Sequence, residues 1–404
     1  MKKFSGVEEE ILSLAQQALV LIGRKECTLD DLLEKRDFRH LRRTLSHLLL
    51  NAFKYRKAIA NELGKYVRTS PRPEIAALLH AALTQAMVQE RISPEAVINV
   101  AVEVAKKYKM SGFVNAVLRK ALSGLRQTGL PRDYRSILPD ELILRWQKRF
   151  SEEEIQQLAD AFLSQPEFTF RMEHGKAPVS FAYTETAGVS GKFPFGKGNA
   201  AEVLESEEFK NGRIYIQDPA ASLAVSIAPE TGFESILDLC SAPGGKALML
   251  LEKYPGVERF LSFDRSPHRQ KLTQKNFDVR GIKHPVTSDP AELTGSFELI
   301  LIDAPCTNTG VFRRRPDALW RFSGKSLADT VKIQRELLEK AEKMLSPKGC
   351  ILYSTCSIEP EEDSLMVQNF IADHPEFTLQ REELLLPDTS HDGAYAAVLI
   401  RQYF

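Results

Sequence analysis

The stretch Ile236-Leu237-Asp238-Leu239-Cys240-Ser241-Ala242-Pro243-Gly244-Gly245-Lys246 runs from an apolar strand into a glycine turn that opens a helix. Small residues stand where backbone must approach a ligand and where helical N–H groups first become available. The turn is not a dinucleotide fingerprint, because G-x-G-x-x-G is absent. It is not a phosphate loop either, because G-x-x-x-x-G-K-[S/T] is absent. Working outward, Arg259–Phe263, Val286–Ser288, Phe297–Ile302 and Cys350–Tyr353 read as further strands. Helical patterns fall between and after them, at Lys246–Lys253, Ser266–Val279, Ser326–Leu345 and Glu359–Ala372. Alternating strands and helices predict an α/β, Rossmann-like domain with a mostly parallel sheet covered on both faces.

Such a sheet delivers the C-terminal ends of its strands to one edge, where ligands bind. Asp264 ends the second strand, 20 residues after Gly244, where nucleotide-binding sheets place an acid for ribose hydroxyls. Asp289 ends the third strand. The turn residues Cys240, Ser241, Ala242, Pro243, Gly244, Gly245 and Lys246, with Asp264, Asp289 and Asp303, therefore outline a pocket. It suits an adenosine-type ligand without a pyrophosphate, for which S-adenosylmethionine is the candidate. Two thiols follow strands at the same edge: Cys306 in Asp303-Ala304-Pro305-Cys306 and Cys356 in Ser354-Thr355-Cys356-Ser357. Two convergent thiols are equipment for covalent chemistry on an unreactive ring carbon. The residues alone leave the two unranked. Cys240 reads as a packing residue in the turn, and Cys27 and Cys350 as core. His268 and His284 are expected near the pocket, without partners at metal spacing, so no metal is expected.

At 404 residues the chain is too long for one ordinary core. Hydrophobic content of 43% and charged content of 27% are those of a soluble globular protein. Ile11–Gly23 is too short and too polar to span a bilayer, and no signal-peptide layout precedes it. Five cysteines at scattered spacings argue against a disulfide framework and for a reducing cytoplasm. The net charge of zero conceals basic patches. Between Glu34 and Lys57 stand Lys35, Arg36, Arg39, Arg42, Arg43, Lys54, Arg56 and Lys57 against two acids, Glu34 and Asp37. Arg313-Arg314-Arg315 and Arg321 follow the Cys306 motif and are read as phosphate contacts.

From Val7 to about Leu125 apolar residues recur at three and four, as in Ile11, Leu12, Ala15, Ala18, Leu19 and Ile22. Thr28-Leu29-Asp30-Asp31 and Ser93-Pro94-Glu95 are helix starts. An all-α domain is expected over residues 1–128. A small α/β module is expected over 129–213, with helices at Asp140–Arg149 and Ser151–Leu163 and a strand at Phe168–Met172. The α/β domain follows over 214–404 and ends in an antiparallel pair, Phe377–Gln380 with Ala394–Phe404.

These motifs carry a resemblance. The C-terminal half resembles the cytosine-C5 RNA methyltransferases often called the Sun family. Their cofactor turn D-L-C-A-A-P-G-G-K-T is matched at Asp238–Ala247, with Ser241 and Ala247 as departures. Their D-A-P-C-S-G-T-G is matched at Asp303–Gly310, with Thr307 and Asn308 substituted, and Y-S-T-C-S is intact at Tyr353–Ser357. R-R-x-P-D stands at Arg313–Asp317, and Gln217-Asp218-Pro219-Ala220 resembles the family's entry into the catalytic domain. The stretches Val97–Lys106 and Ser111–Lys120 resemble the NusB-like helical domain of members acting on small-subunit ribosomal RNA. The family's L-R-V-N strand survives only as Phe170-Arg171-Met172-Glu173.

The resemblance implies S-adenosylmethionine as methyl donor and a cytosine of small-subunit ribosomal RNA, single-stranded or extruded, as target. It makes Cys356 the nucleophile that adds to carbon 6. Cys306 then assists release, and Asp303 holds the cytosine edge. Phe312 and Trp320 are available for base stacking. A monomer without membrane association is expected. Two other readings stand beside this one: a catalytically inactive RNA-binding ribosome assembly factor, and a DNA cytosine-C5 methyltransferase using Cys306.

Overall fold

The computed structural model describes residues 6–33, 35, 38, 40–89, 91–173, 179–186, 189 and 192–402. The chain forms two compact units, Met1–Ser164 with Phe312–Phe322, and Gln165–Val311 with Ser323–Phe404. Residues 129–213, read from the sequence as one module, are divided between them.

Among the described residues the first unit is helical throughout. Its main helices are Gly6–Gly23, Arg42–Lys54, Pro73–Val88, Pro94–Ala105 and Ser111–Thr128. Their inward faces bury Leu12, Ala15, Leu45, Leu49, Phe53, Leu78, Ala82, Val97, Ala101, Val114 and Leu118 in one core. Local chemistry sets the helix starts. Ser93 Oγ accepts from the Ala96 amide at 3.3 Å with Pro94 in the first turn. Thr28 and Asp31 cap reciprocally: Thr28 Oγ1 accepts from the Asp31 amide, and Asp31 Oδ2 accepts from the Thr28 amide. Glu152–Leu163 begins with a Ser151–Glu154 capping box.

The segment Phe312–Phe322 belongs to this unit, and it corrects two expectations. Phe312 is buried, stacked on Trp146 with centroids 6.4 Å apart and edge-on to Phe162 at 6.3 Å. Trp320 Nε1 donates to the Phe53 carbonyl at 2.8 Å, and the Arg56 guanidinium lies 4.8 Å over its ring. Neither aromatic is held out for a nucleobase, because each fills this unit's own core. The arginines that follow are committed too. Arg313 is buried, Arg321 pairs with Asp317 at 3.2 Å, and Arg315 pairs with Asp30 at 3.5 Å.

The first basic cluster is likewise partly internal. Glu34, Arg36, Asp37 and Arg39 lie outside the described residues. Lys57 pairs with Asp140 at 2.6 Å, while Arg42 and Arg43 are exposed. Lys54 is only 6% exposed and donates to the carbonyls of Ser164 at 2.7 Å and Leu163 at 3.3 Å. Burial, helped by the nearby Arg313 charge, pushes its ammonium down to about 8. A lysine whose folded pKa is lowered binds fewer protons than in the unfolded chain between pH 8 and its ordinary value. Folding is therefore opposed below that window and relieved as pH rises through it. The stability of the wild type relative to Lys54→Met is expected to rise by about 3 kcal/mol from pH 8 to 10.5. Urea denaturation of both proteins at a series of pH values measures this, and parallel curves would contradict it.

The second unit holds two sheets. The smaller is antiparallel, in the order β2 (Tyr183–Thr186), β3 (Phe195–Gly198), β1 (Thr169–Met172), β4 (Ile214–Ile216). Buried Arg171 on β1 pairs with Glu252 on the helix Gly245–Lys253, fastening this sheet to the helical layer of the larger one. The larger sheet contains β5 (Ser235–Asp238), β6 (Arg259–Phe263), β7 (Val286–Thr287), β8 (Phe297–Asp303), β9 (Leu345–Thr355), β10 (Phe377–Leu385) and β11 (Ala394–Arg401). Its order is β10-β11-β9-β8-β5-β6-β7, parallel from β9 to β7 and antiparallel where β11 joins β9 and β10 joins β11.

Each central strand is apolar on both faces, as a doubly covered sheet demands. Ile236, Leu299, Leu301 and Leu352 pack with the helices Leu223–Ile227 and Gly245–Lys253. Leu237, Ile300, Ile302 and Tyr353 pack with Gly324–Met344 and Ser364–Asp373 on the other face. Cys350 is buried on β9, and Cys27 packs against the helical core of the first unit. Residues 403 and 404 of the expected terminal strand lie outside the described residues. Among the described residues no helix is long and apolar enough to cross a membrane.

Candidate active site

From β5 the chain proceeds outward through β6 and β7, then returns to β8 and β9 on the opposite side of β5. The strand order thus reverses between β5 and β8, and a crevice opens at their C-terminal ends. Asp238 ends β5 and Asp303 ends β8. The helix Gly245–Lys253 starts above them and carries Lys246, whose Nζ lies 2.7 Å from Asp303 Oδ2.

Sheet register brings the two thiols together. Asp303 of β8 pairs with Ser354 of β9, and the Ala304 amide donates to the Ser354 carbonyl at 2.8 Å. Cys306 and Cys356 therefore leave adjacent strands at nearly the same height. Their Sγ atoms are 3.2 Å apart. The loops behind them are stitched together. The Gly310 amide donates to the Cys356 carbonyl at 3.0 Å, and the Ile358 amide donates to Thr309 Oγ1 at 2.9 Å. A Cβ at Gly310 would come within 2.8 Å of that Cys356 carbonyl oxygen, so the approach requires glycine. Fully buried Glu362 accepts from the Thr307 amide at 2.9 Å, Thr330 Oγ1 at 2.7 Å and Gln334 Nε2 at 3.1 Å. It clamps the loop after Cys306 to the segment after Cys356.

Electrostatics separates the two sulfurs. The hydrogen bond to Cys356 and then burial push the Cys306 thiol well up. Cys306 therefore keeps its proton. Burial works to lower Lys246, but the Asp303 carboxylate, and Cys356 beside it, hold the ammonium above its ordinary value. Lys246 is thus a persistent cation near the Cys356 sulfur. Burial and the charges of Asp238, Asp303 and Asp264 push Cys240 up, so it stays a thiol.

The pocket outlined by the turn is tightly built. Asp264 is buried and accepts from the Ala242 amide at 3.3 Å and the Ser266 amide at 2.9 Å. Arg269 donates to the Ala242 carbonyl at 2.6 Å. Gly244 sits at φ +100, in the left-handed region, and the Ala242–Pro243 peptide is cis. Ser241 is buried against Gln270 at 3.4 Å. A Cβ on Gly245 would meet the Tyr215 ring at 2.9 Å. Gly244→Ala is expected to cost about 1–2 kcal/mol, since its Cβ would also press to 3.1 Å from Thr273. Urea denaturation reads that loss, and an unchanged midpoint would refute the strain.

Asp289 caps the turn that follows β7, accepting from the Ala291 amide at 2.9 Å, and its residue is exposed at the same edge. His268 is exposed in the first turn of Pro267–Val279. His284 corrects an expectation: it packs 5.8 Å from Phe260, at the N-terminal start of β6, and so faces the edge opposite the site. Among the described residues no group of three His, Cys, Asp or Glu side chains could hold a metal ion.

The chain's likeness to other proteins agrees with this geometry. Residues 224–400 match the family described as 16S rRNA methyltransferase RsmB/F, and residues 9–123 match the NusB family. The ribosomal RNA small subunit methyltransferase B of Vibrio cholerae is 32% identical over 342 residues, covering 78% of this chain and 78% of that protein. The chain belongs to the RsmB/F methyltransferase family. Two solved structures share the fold. The crystal structure of PH0851 is 22% identical with a TM-score of 0.77, covering 98% of this chain and 100% of that one. A methyltransferase homolog protein from Pyrococcus horikoshii is 23% identical with a TM-score of 0.54, covering 65% of this chain and 100% of that one.

As an RsmB/F member the chain is an S-adenosylmethionine-dependent methyltransferase. The residues present fit that cofactor. Asp238 is 1% exposed, and among the described residues its carboxylate oxygens receive no hydrogen bond of good geometry, only the approach of the Cys240 backbone. Burial and then the Asp303 charge push its carboxyl well up. The Asp264 and Asp303 carboxylates beside it repel a phosphate and suit a ligand bearing ammonium and sulfonium charges. Asp238 was not among the site residues inferred from the sequence. Its place at the end of the first strand, before the glycine turn, was the available signal. Glu362 was missed as well, although it lies in the acidic run Glu359–Asp363 just beyond Cys356.

Proposed function

We propose that this methyltransferase methylates carbon 5 of a cytosine in small-subunit ribosomal RNA, through a covalent bond between Cys356 and carbon 6. The observation that carries this reading is the pair of sulfurs 3.2 Å apart, beside the Lys246–Asp303 ion pair at the mouth of the crevice. Carbon 5 of cytosine is a poor nucleophile. Addition of the Cys356 thiolate to carbon 6 makes the ring an enamine, with electron density at carbon 5. S-adenosylmethionine supplies the electrophilic methyl group when bound. Lys246 stabilises the attacking thiolate, and Asp303 holds ring nitrogen 3 and the exocyclic amine as charge develops there. Cys306 assists release: the carbon 5 proton passes to solvent water, its bonding pair re-forms the carbon 5–carbon 6 double bond, and the carbon 6–sulfur bond breaks to free the Cys356 thiolate.

Cys240–Lys246, Asp264 and Asp289, with Asp303, form the cofactor pocket, and Asp238 joins them. The target base is unpaired or extruded so that a thiol can reach carbon 6. The NusB-like helices, with Arg42 and Arg43 exposed, supply a second, sequence-independent grip on RNA phosphates. The protein works as a cytoplasmic monomer.

Labelled S-adenosylmethionine, undermethylated small-subunit RNA and an equal amount of DNA test the reading together. The label is expected in RNA, as 5-methylcytosine by bisulfite sequencing. Label in DNA, or at another base, would overturn it, and cofactor binding without any transfer would favour a non-catalytic assembly role.

A further inference from the structure

Asn308 stands two residues after Cys306, on the loop that faces Cys356. The backbone explains why few residues suit the place. Asn308 has φ +64, in the left-handed region that glycine adopts freely and asparagine tolerates better than other side chains. Here the side chain takes part in the site. Its Nδ2 donates to the Cys306 carbonyl at 2.9 Å, which fixes the direction of the carboxamide. Oδ1 is thereby turned toward Cys356 and accepts from Sγ at 3.4 Å. The same sulfur lies 3.2 Å from Cys306 Sγ. Cys306, Cys356 and Asn308 form a short hydrogen-bonded chain that ends on a carbonyl oxygen.

We propose that Asn308 is a positioning residue that keeps the resting Cys356 in its thiol form and aims its sulfur, a restraint that glycine at this place lacks. The proposal rests on the reading of Cys356 as the nucleophile. The Cys306 thiol and the Lys246 ammonium, itself paired with Asp303, also face that sulfur. Glu362 lies beyond Cys306 and is engaged by Thr307, Thr330 and Gln334. Lys246 favours the thiolate. The lone pairs of Oδ1 oppose it, because they accept from S–H and repel S⁻. Removing the side chain removes that opposition to the cation.

Alkylation by iodoacetamide reads this balance directly, since only the thiolate displaces iodide. The rate at Cys356 is followed by peptide mass analysis of the full-length protein between about pH 6 and 10. Asn308→Gly is expected to move the profile down by about 1 pH unit and to speed alkylation near neutral pH about tenfold. Asn308→Asp, which adds a negative charge, is expected to move it up by a similar amount. A general disturbance of the loop would shift both variants the same way. An Asn308→Gly profile at or above that of the wild type, or both variants moving together, overturns the proposal. The alkylation profile does not depend on methyl transfer. Activity surviving in Cys356→Ala would sink the nucleophile assignment without altering it, so the two readings fail separately.

Discussion

Cys356→Ala is expected to abolish methyl transfer, a loss of about 10⁴-fold or more. The size of the effect follows from the proposed covalent route. Without a sulfur at carbon 6 no enamine forms, and neither the Lys246–Asp303 pair nor a bound methyl donor can make carbon 5 nucleophilic. Cofactor affinity should be nearly unchanged, because the turn Cys240–Lys246 is untouched, and calorimetry with S-adenosylmethionine serves as the control. Transfer at the wild-type rate would remove Cys356 from the mechanism. Cys306→Ala is expected to do something different. The attacking sulfur remains, but its neighbour at 3.2 Å is gone and release stalls. A protein–RNA adduct should then persist on a denaturing gel. A variant that turns over without any adduct would leave Cys306 with no part in release.

Glu362→Ala is expected to destabilise the second unit by about 3–5 kcal/mol, a large fraction of the stability of an ordinary domain. The carboxylate is fully buried, and its donors are the Thr307 amide and hydroxyl, Thr330 and Gln334. Truncation strands the Thr307 amide and hydroxyl, while Thr330 keeps the Ser326 and Leu327 carbonyls and Gln334 keeps the Pro305 carbonyl. The conservative Glu362→Gln keeps one carbonyl oxygen and the side-chain volume, so about half the loss is expected. Denaturant unfolding measures both. Because Glu362 clamps the loop that carries Cys306, the Gln variant should also lose transfer activity out of proportion to its stability. A Gln variant with wild-type transfer would assign Glu362 to folding alone.

Much of the catalytic half could be read from the sequence, since its signals are local. Each buried strand of a parallel sheet is a continuous apolar run, and Arg259–Phe263 was located with both ends correct. The thiols, the glycine turn and Asp264 can be placed at one edge of the sheet because they follow such runs. What escaped depends on contacts between distant residues. The aromatic character of Phe312 and Trp320, beside three arginines, looks from the sequence like a nucleic-acid surface. Only the fold reveals that Trp146, Phe162 and Phe53 occupy them. Lys54 likewise counts as a surface charge until the carbonyls of Leu163 and Ser164 are seen to surround it. His284 sits just before a strand rather than just after one, which sends it to the far edge. The weak strands around Gly196 stayed obscure because a four-residue strand has too few positions for alternation to register.

The membership of Phe312–Phe322 in the helical unit has a consequence for how the polypeptide is made. Synthesis runs from the N-terminus, so Ser164 leaves the ribosome long before Phe312. Until then the nascent bundle lacks the ring that fills the space beside Trp146 and Phe162, and the Phe53 carbonyl lacks its indole donor. The amino-terminal helices must wait until Phe322 has been made before their own interior is complete, and a chain ending at Ser164 is a bundle with a hole.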